Sequence, residues 1–167
     1  MKHFTPALAA WLLAAASLTT AHAADSAPSR TATNSATSRM AADPLASARA
    51  LIADHKWAAA IVELQRIDAK NSADWNNLMG YSHRKAKSPD YAAAERYYDA
   101  ALALDPRHRG ALEYSGELFL MLGDLPRAEQ RLAALDKECF LPCSEYTDLK
   151  NAIAQFKASG NPVTVQN

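Results

Sequence analysis

Two cysteines are the residues of this chain whose type and spacing point most directly to chemistry. They are Cys139 and Cys143, and the sequence contains no other cysteine. If the chain enters an oxidising compartment, an even number of cysteines favours a disulfide, which here would close a very short loop. Two soft thiolates four residues apart could instead hold reduced copper or carry out redox chemistry. We predict a structural disulfide, and we keep thiol or metal handling as a second hypothesis.

The histidine and methionine residues give that second hypothesis little support. None is adjacent to the two cysteines, and the nearest candidates in sequence, His108 and Met121, belong to a different predicted helical unit. A site with two thiolates and no third ligand is weak evidence for a metal centre. We therefore predict no bound metal.

A pair of carboxylates is the other arrangement with chemical potential. Glu113 and Glu117 stand four residues apart, which places both on one face of a helix. Such a pair could serve in acid-base catalysis, but it is ordinarily solvated. The sequence also contains no glycine-rich phosphate loop, no Gly-x-Ser-x-Gly and no His-Glu-x-x-His. We therefore predict that the chain is not an enzyme and uses no cofactor.

The elements that position these residues follow from a column of side chains that recurs every 34 positions. Each occurrence combines a small residue with larger apolar ones. The three occurrences are Trp57, Ala60, Leu64 and Ile67, then Tyr91, Ala94, Tyr98 and Ala101, then Leu125, Ala128, Leu132 and Leu135. Repetition at this period predicts stacked helical hairpins, in which the small residue lets two helices approach closely.

Capping and stop signals set the limits of the predicted helices. Asp43 is suited to cap a first helix with Pro44 at its start, Asp105-Pro106 ends a helix, and Gly123 supplies a left-handed turn. The predicted hairpins cover residues 43–71, 73–106 and 109–138.

A final helix is predicted at residues 144–157, with Ser144 as its cap. Its apolar stripe consists of Tyr146, Leu149, Ile153 and Phe156, opposite a polar side. A helix of this kind at the end of an array is predicted to cap the exposed core. In the loop before it, Pro142 blocks continuation of the helix, and we expect Phe140 and Leu141 to turn into the core.

These residues resemble the tetratricopeptide repeat (TPR) family over roughly Asp43 to Phe156. The resemblance is carried by Gly80 and its counterpart Gly116, by the recurring alanine of the column, and by Pro106. It implies an all-α solenoid of about three hairpins plus a C-terminal capping helix. In this family the first helix of each hairpin lines a concave surface, and most members hold a peptide or a partner protein there.

The resemblance also implies which residues of this chain would form that surface. They are polar, aromatic or flexible side chains of the first helices: Arg49, Asp74, Asn77, Tyr81, Arg84, Lys85, Glu113, Glu117, Leu120 and Met121. Asn77 is the most suggestive, because an amide can both donate to and accept from a peptide backbone. The alternative interpretation is that these residues form an ordinary solvated helix face. The basic clamp that some family members use for a terminal carboxylate is not reproduced.

The two ends of the chain carry a different signal. Residues 1–23 resemble a secretory leader: Lys2 precedes an apolar run, and Ala21 and Ala23 provide the small residues of a cleavage site. Residues 24–42, rich in alanine, serine and threonine, are predicted to be a flexible linker, and residues 159–167 a disordered tail. We therefore expect a periplasmic or secreted protein.

The charge balance bears on the partner class. With 18 basic and 18 acidic residues in the whole chain, removal of the leader with its single lysine leaves 17 − 18 = −1. This balance points neither to nucleic acid nor to an anionic membrane, and we expect no stable membrane insertion after cleavage. The expected partner is a protein or a peptide.

We predict that the mature chain starts at Ala24, because Ala21 and Ala23 present the small side chains that the leader peptidase requires. Mass measurement on protein from the extracytoplasmic fraction tests this. A mass that retains the leader would refute export as described.

Overall fold

The computed structural model describes residues 43–141 and 143–159, and these residues form an all-α array without a strand. The predicted leader, the linker, Pro142 and residues 160–167 lie outside the described residues. The helices are α1 (Ala46–Ala53), α2 (Trp57–Ile67), α3 (Ala73–Lys85), α4 (Tyr91–Leu104), α5 (Arg109–Met121), α6 (Leu125–Glu138) and α7 (Ser144–Ser159).

Side-chain caps fix where most of these helices begin. Ser72 Oγ accepts a hydrogen bond from the Trp75 N–H at 3.2 Å, and Asp90 Oδ1 accepts one from Ala93 at 2.8 Å. The first helix differs from expectation. Asp43 Oδ1 accepts from the Leu45 N–H at 2.9 Å, and this contact caps a preceding turn, so that α1 itself begins only at Ala46.

The helices form two layers. In one layer neighbouring helices contact each other directly, and in the other they do not. The first helices, α1, α3 and α5, contact one another in series, and α5 contacts α7 in the same way. In the described part of the chain, the backbones of α2, α4 and α6 do not approach one another. Long side chains bridge that gap, since Arg127 of α6 reaches Glu95 of α4 at 2.5 Å. The layer of first helices is therefore the crowded, inner side of the array.

The small residues of the repeating column lie where helices meet. Ala60, Ala94 and Ala128 are all fully buried. At the α3–α4 crossing, a Cβ added to Gly80 would lie 2.7 Å from Cε1 of Tyr98 and 3.1 Å from the carbonyl oxygen of Ala94. No side chain fits there without displacing a neighbour, which explains the glycine.

Helix α7 covers the end of the array. Leu149 is fully buried, and its Cδ2 would lie 2.5 Å from a Cβ added to Gly116. Tyr146 and Phe156 are partly buried against a cluster that also contains Leu135 and Ile153. Gly116 thus allows the close approach of α7. Gly80, by contrast, allows the close approach of α4, the second helix of its own hairpin.

The short loop before α7 departs from expectation in one respect. Cys139 and Cys143 form a disulfide, with their Cα atoms 5.8 Å apart. Phe140 and Leu141, expected in the core, are instead 102% and 73% exposed. The reason is geometric: α7 already fills the end of the core, and the disulfide holds the loop outside it.

Neither a bilayer-spanning helix nor a metal-binding cluster occurs among the described residues. No described helix combines the length and the apolar character needed to cross a bilayer. The same residues contain no group of three His, Cys, Asp or Glu side chains that could hold a metal ion.

The register of the second hairpin can be tested at two neighbouring alanines. Ala94 is fully buried and Ala92 is exposed. We predict that Ala94→Leu lowers the free energy of unfolding by about 1–3 kcal/mol through overpacking. The matched control Ala92→Leu should have little effect. Thermal unfolding of both variants measures this, and equal changes in Tm would show that the register is wrong.

Candidate partner-binding face

We use "inner face" for the accessible surface of α1, α3 and α5. At its N-terminal part, a series of polar side-chain contacts links all three first helices. Asp74 at the start of α3 accepts a hydrogen bond from Arg49 Nη2 of α1 at 3.0 Å. The other oxygen of Asp74 lies 2.9 Å from Nε2 of His108, the capping residue of α5. Arg49 and Asp74 remain exposed enough for a partner to reach them.

His108 is held in one tautomer by its two contacts. Its Nδ1 accepts a hydrogen bond from the Ala111 N–H at 3.0 Å, which caps α5. In the neutral ring the proton is therefore on Nε2, and Nε2 donates to Asp74.

The central part of the inner face is an aromatic pair above a buried ion pair. The rings of Tyr81 on α3 and Tyr114 on α5 have centroids 4.6 Å apart. The Arg84 guanidinium lies 5.4 Å and 5.5 Å from these two centroids. Its Nη2 is 2.7 Å from Oε2 of Glu117, with side-chain exposures of only 1% and 2%. This cluster joins the second hairpin to the third.

Glu113 lies one helical turn before Glu117 and differs from it in having no ion partner. It is 6% exposed. Burial raises the pKa of its carboxyl from the ordinary value of 4.5 to about 8, and the negative charges of Glu117, Asp148 and Glu145 add to the rise. Glu113 is therefore mostly protonated at neutral pH.

Three further predicted site residues differ in how accessible they are. Asn77 is 7% exposed, and its Oδ1 is buried without a partner among the described residues. Its Nδ2 lies 3.0 Å from where a Cβ on Gly110 would stand, so the first turn of α5 covers it. Lys85 and Met121 are both half-buried at the edge of the face.

Two expectations from the sequence are corrected here. Leu120 is fully buried in the cluster that contains Leu135 of α6 and Leu149 of α7, and so it has no surface for a partner. The burial of Arg84, Glu113 and Glu117 contradicts both their predicted place on the partner-binding surface and the alternative of an ordinary solvated helix face. Packing of α3 against α5 covers side chains that the sequence places on an outward-facing helix stripe.

Two residues of this region were not predicted as site residues. His108 was considered only as a distant metal ligand, although it lies 34 residues after Asp74, one repeat period along. Tyr114 packs between the second and third hairpins, against Tyr81. The 34-residue spacing between Asp74 and His108 could have predicted their contact.

Comparison with known families agrees with this architecture. A sequence model described as "Tetratricopeptide repeat" matches residues 86–158, which begin before α4 and end within α7. This segment belongs to the tetratricopeptide repeat family. No characterised protein shows a significant sequence match to the chain. TPR arrays generally act as scaffolds for interactions between proteins, and the repeats suggest that role here.

We predict that Glu113 makes the stability of this TPR array depend on pH. Between pH 4.5 and about 8 the folded state holds a proton that the unfolded chain has released. The free energy of unfolding should therefore fall as pH rises across that interval. Glu113→Gln should remove this fall and be the more stable protein at the upper end, because the amide resembles the protonated acid.

Denaturant unfolding at several pH values measures the effect. Asp136→Asn, at an exposed position of α6, is the control with the same change in charge, and it should leave the slope unchanged. Parallel pH profiles for wild type and Glu113→Gln would show that Glu113 does not titrate as described.

Proposed function

We propose that this protein is an exported, non-catalytic TPR scaffold that binds a protein or peptide through its inner face. The observation that carries the proposal is the direct packing of α1, α3 and α5 in series. This packing gathers polar and aromatic side chains from three helices into one surface. The accessible members are Arg49, Asp74, Tyr81, Lys85, Tyr114 and Met121.

The chemistry of this surface supports recognition of a polypeptide. Interface cores are enriched in tyrosine, methionine and arginine, and the inner face presents these residue types side by side. Tyr81 and Tyr114 offer flat apolar rings for a partner to cover, while Asp74 and Arg49 offer charged groups at the rim. Anchors surrounded by a polar rim are the usual arrangement of a protein-binding surface.

Export is supported by two features. The first is the leader, with Ala21 and Ala23 as the small residues of its cleavage site. The second is the disulfide between Cys139 and Cys143, since disulfides persist mainly in oxidising compartments.

A photo-crosslinking side chain tests the proposed face directly. Placed at Arg49 on the inner face, it should give a crosslinked partner in the native compartment. Placed at the exposed Asp136 of α6, it should give none. Crosslinks to the same protein from both positions, or from Asp136 alone, would contradict binding at the inner face.

The second hypothesis, thiol or metal handling, is tested by titrating thiols in natively purified protein. A scaffold with a structural disulfide should show no reactive thiol. Two titratable thiols in protein from an oxidising compartment would favour function at Cys139 and Cys143.

A further inference from the structure

We propose that a cleft in the second hairpin binds a small organic acid that carries one carboxylate and an aromatic ring. The cleft is lined from the loop before α3, the first turn of α3 and the middle of α4, and its volume is about 410 Å³. Its lining residues are Lys70, Trp75, Asn76, Arg96, Tyr97 and Ala100. None of them is among the residues proposed to bind the partner, so the inference is independent of the scaffold function.

The apolar wall of the cleft is held in place by hydrogen bonding and ring contacts. The Trp75 Nε1–H donates to the carbonyl oxygen of Leu64 at 2.7 Å. The rings of Trp75 and Tyr97 meet edge to face with centroids 5.9 Å apart, and His83 stacks on Tyr97 at 5.4 Å. Because Trp75 is only 2% exposed, the half-buried Tyr97 is the ring that a ligand can cover. A second aromatic ring is a favourable ligand for such a wall.

The rim of the cleft is also fixed. Asn76 is buried, and its Nδ2 donates to the carbonyl oxygens of Lys70 at 2.8 Å and Ser72 at 2.9 Å. These bonds hold the loop before α3 against the helix. The cleft is therefore formed before a ligand arrives, which lowers the entropic cost of binding.

Arg96 is the cation of the cleft that has no partner. It is exposed, and no residue in the described part of the chain forms a hydrogen bond or an ion pair with it. The acidic residues near it on α4, Glu95 and Asp99, are paired instead with Arg127 and Arg131 of α6. A guanidinium group matches the planar geometry of a carboxylate and can bind it through two parallel hydrogen bonds. Arg96 is therefore the group that would hold the acid.

The charges around the cleft favour a ligand with one negative charge. Lys70 is paired with Asp68 at 2.8 Å, so these two charges largely cancel. His83 is mostly neutral at neutral pH, because burial lowers its pKa and the charge of Arg96 adds to the effect against that of Asp90. One positive charge, that of Arg96, is left. A carboxylate balances it, whereas a phosphate ester carries almost twice that charge.

Heteronuclear NMR of the mature protein tests the inference, with hydrocinnamate as the probe. This compound is a phenyl ring on a short chain that ends in one carboxylate. Beyond the predicted leader the chain contains two tryptophans, Trp75 in the cleft and Trp57 outside it. The indole N–H signal of Trp75 should shift along a saturable curve with a Kd on the order of 1 mM, as expected for so small a ligand. The Trp57 signal should stay in place.

Two related compounds separate the contribution of the charge from that of the ring. Hydrocinnamamide keeps the ring and has no charge, and acetate keeps the carboxylate and has no ring. Each should bind at least about tenfold more weakly than hydrocinnamate.

Two pairs of variants locate the site. Arg96→Gln should weaken binding about tenfold, whereas Lys137→Gln, which removes the same charge from an exposed position of α6, should change nothing. Ala100→Leu should fill the cleft and prevent binding although Arg96 remains, whereas Ala92→Leu at an exposed position of the same helix should not. An unchanged Trp57 signal shows that each variant keeps its fold.

Several outcomes would overturn the inference. They are equal binding of the amide or acetate, equal effects of a variant and its control, and the absence of a saturable shift of Trp75. A peptide that ends in phenylalanine presents the same ring and carboxylate. If it binds the cleft about tenfold tighter than hydrocinnamate, the ligand is the end of a protein chain, and its assignment as a small acid is overturned. The scaffold function is tested separately, by crosslinking at the inner face.

Discussion

The ion pair between Arg84 and Glu117 is the contact on which the inner face depends. A guanidinium that is 1% exposed must be paired, because an isolated charge in the interior is strongly unfavourable. The pairing fixes the position of α3 against α5 and brings Tyr81 against Tyr114. A single buried contact thus determines the geometry of the face.

Steric constraints set the layers in which this contact forms. Gly80 allows α3 to approach the backbone of α4 at Ala94, and Gly116 admits Leu149 of α7 in the same manner. The first helices also contact one another directly, while α4 and α6 are joined by long side chains such as Arg127. Close approach on one side and separation on the other is what distinguishes an inner face from an outer one.

Helix α7 combines two roles that are usually separate. Leu149 and Ile153 close the apolar end of the array, as expected of a cap. Its polar side also places Asp148 and Glu145 where they act on Glu113, so that the cap contributes to the electrostatics of the inner face. The disulfide of Cys139 and Cys143 joins the end of α6 to the start of this helix.

The sequence by itself determined the helical hairpins, because hydrophobic spacing and capping residues such as Asp90 act within one or two turns of the chain. It also indicated that Ala94 lies at a helix crossing, since a small residue recurs there in every unit. It could not show that Arg84 meets Glu117, that Leu120 is buried, or that Phe140 stays in solvent. Those outcomes depend on how far each helix is rotated about its axis, and only packing between hairpins decides that rotation. A helix stripe that looks solvated in the sequence therefore became a buried polar cluster, because the neighbouring helix covers it.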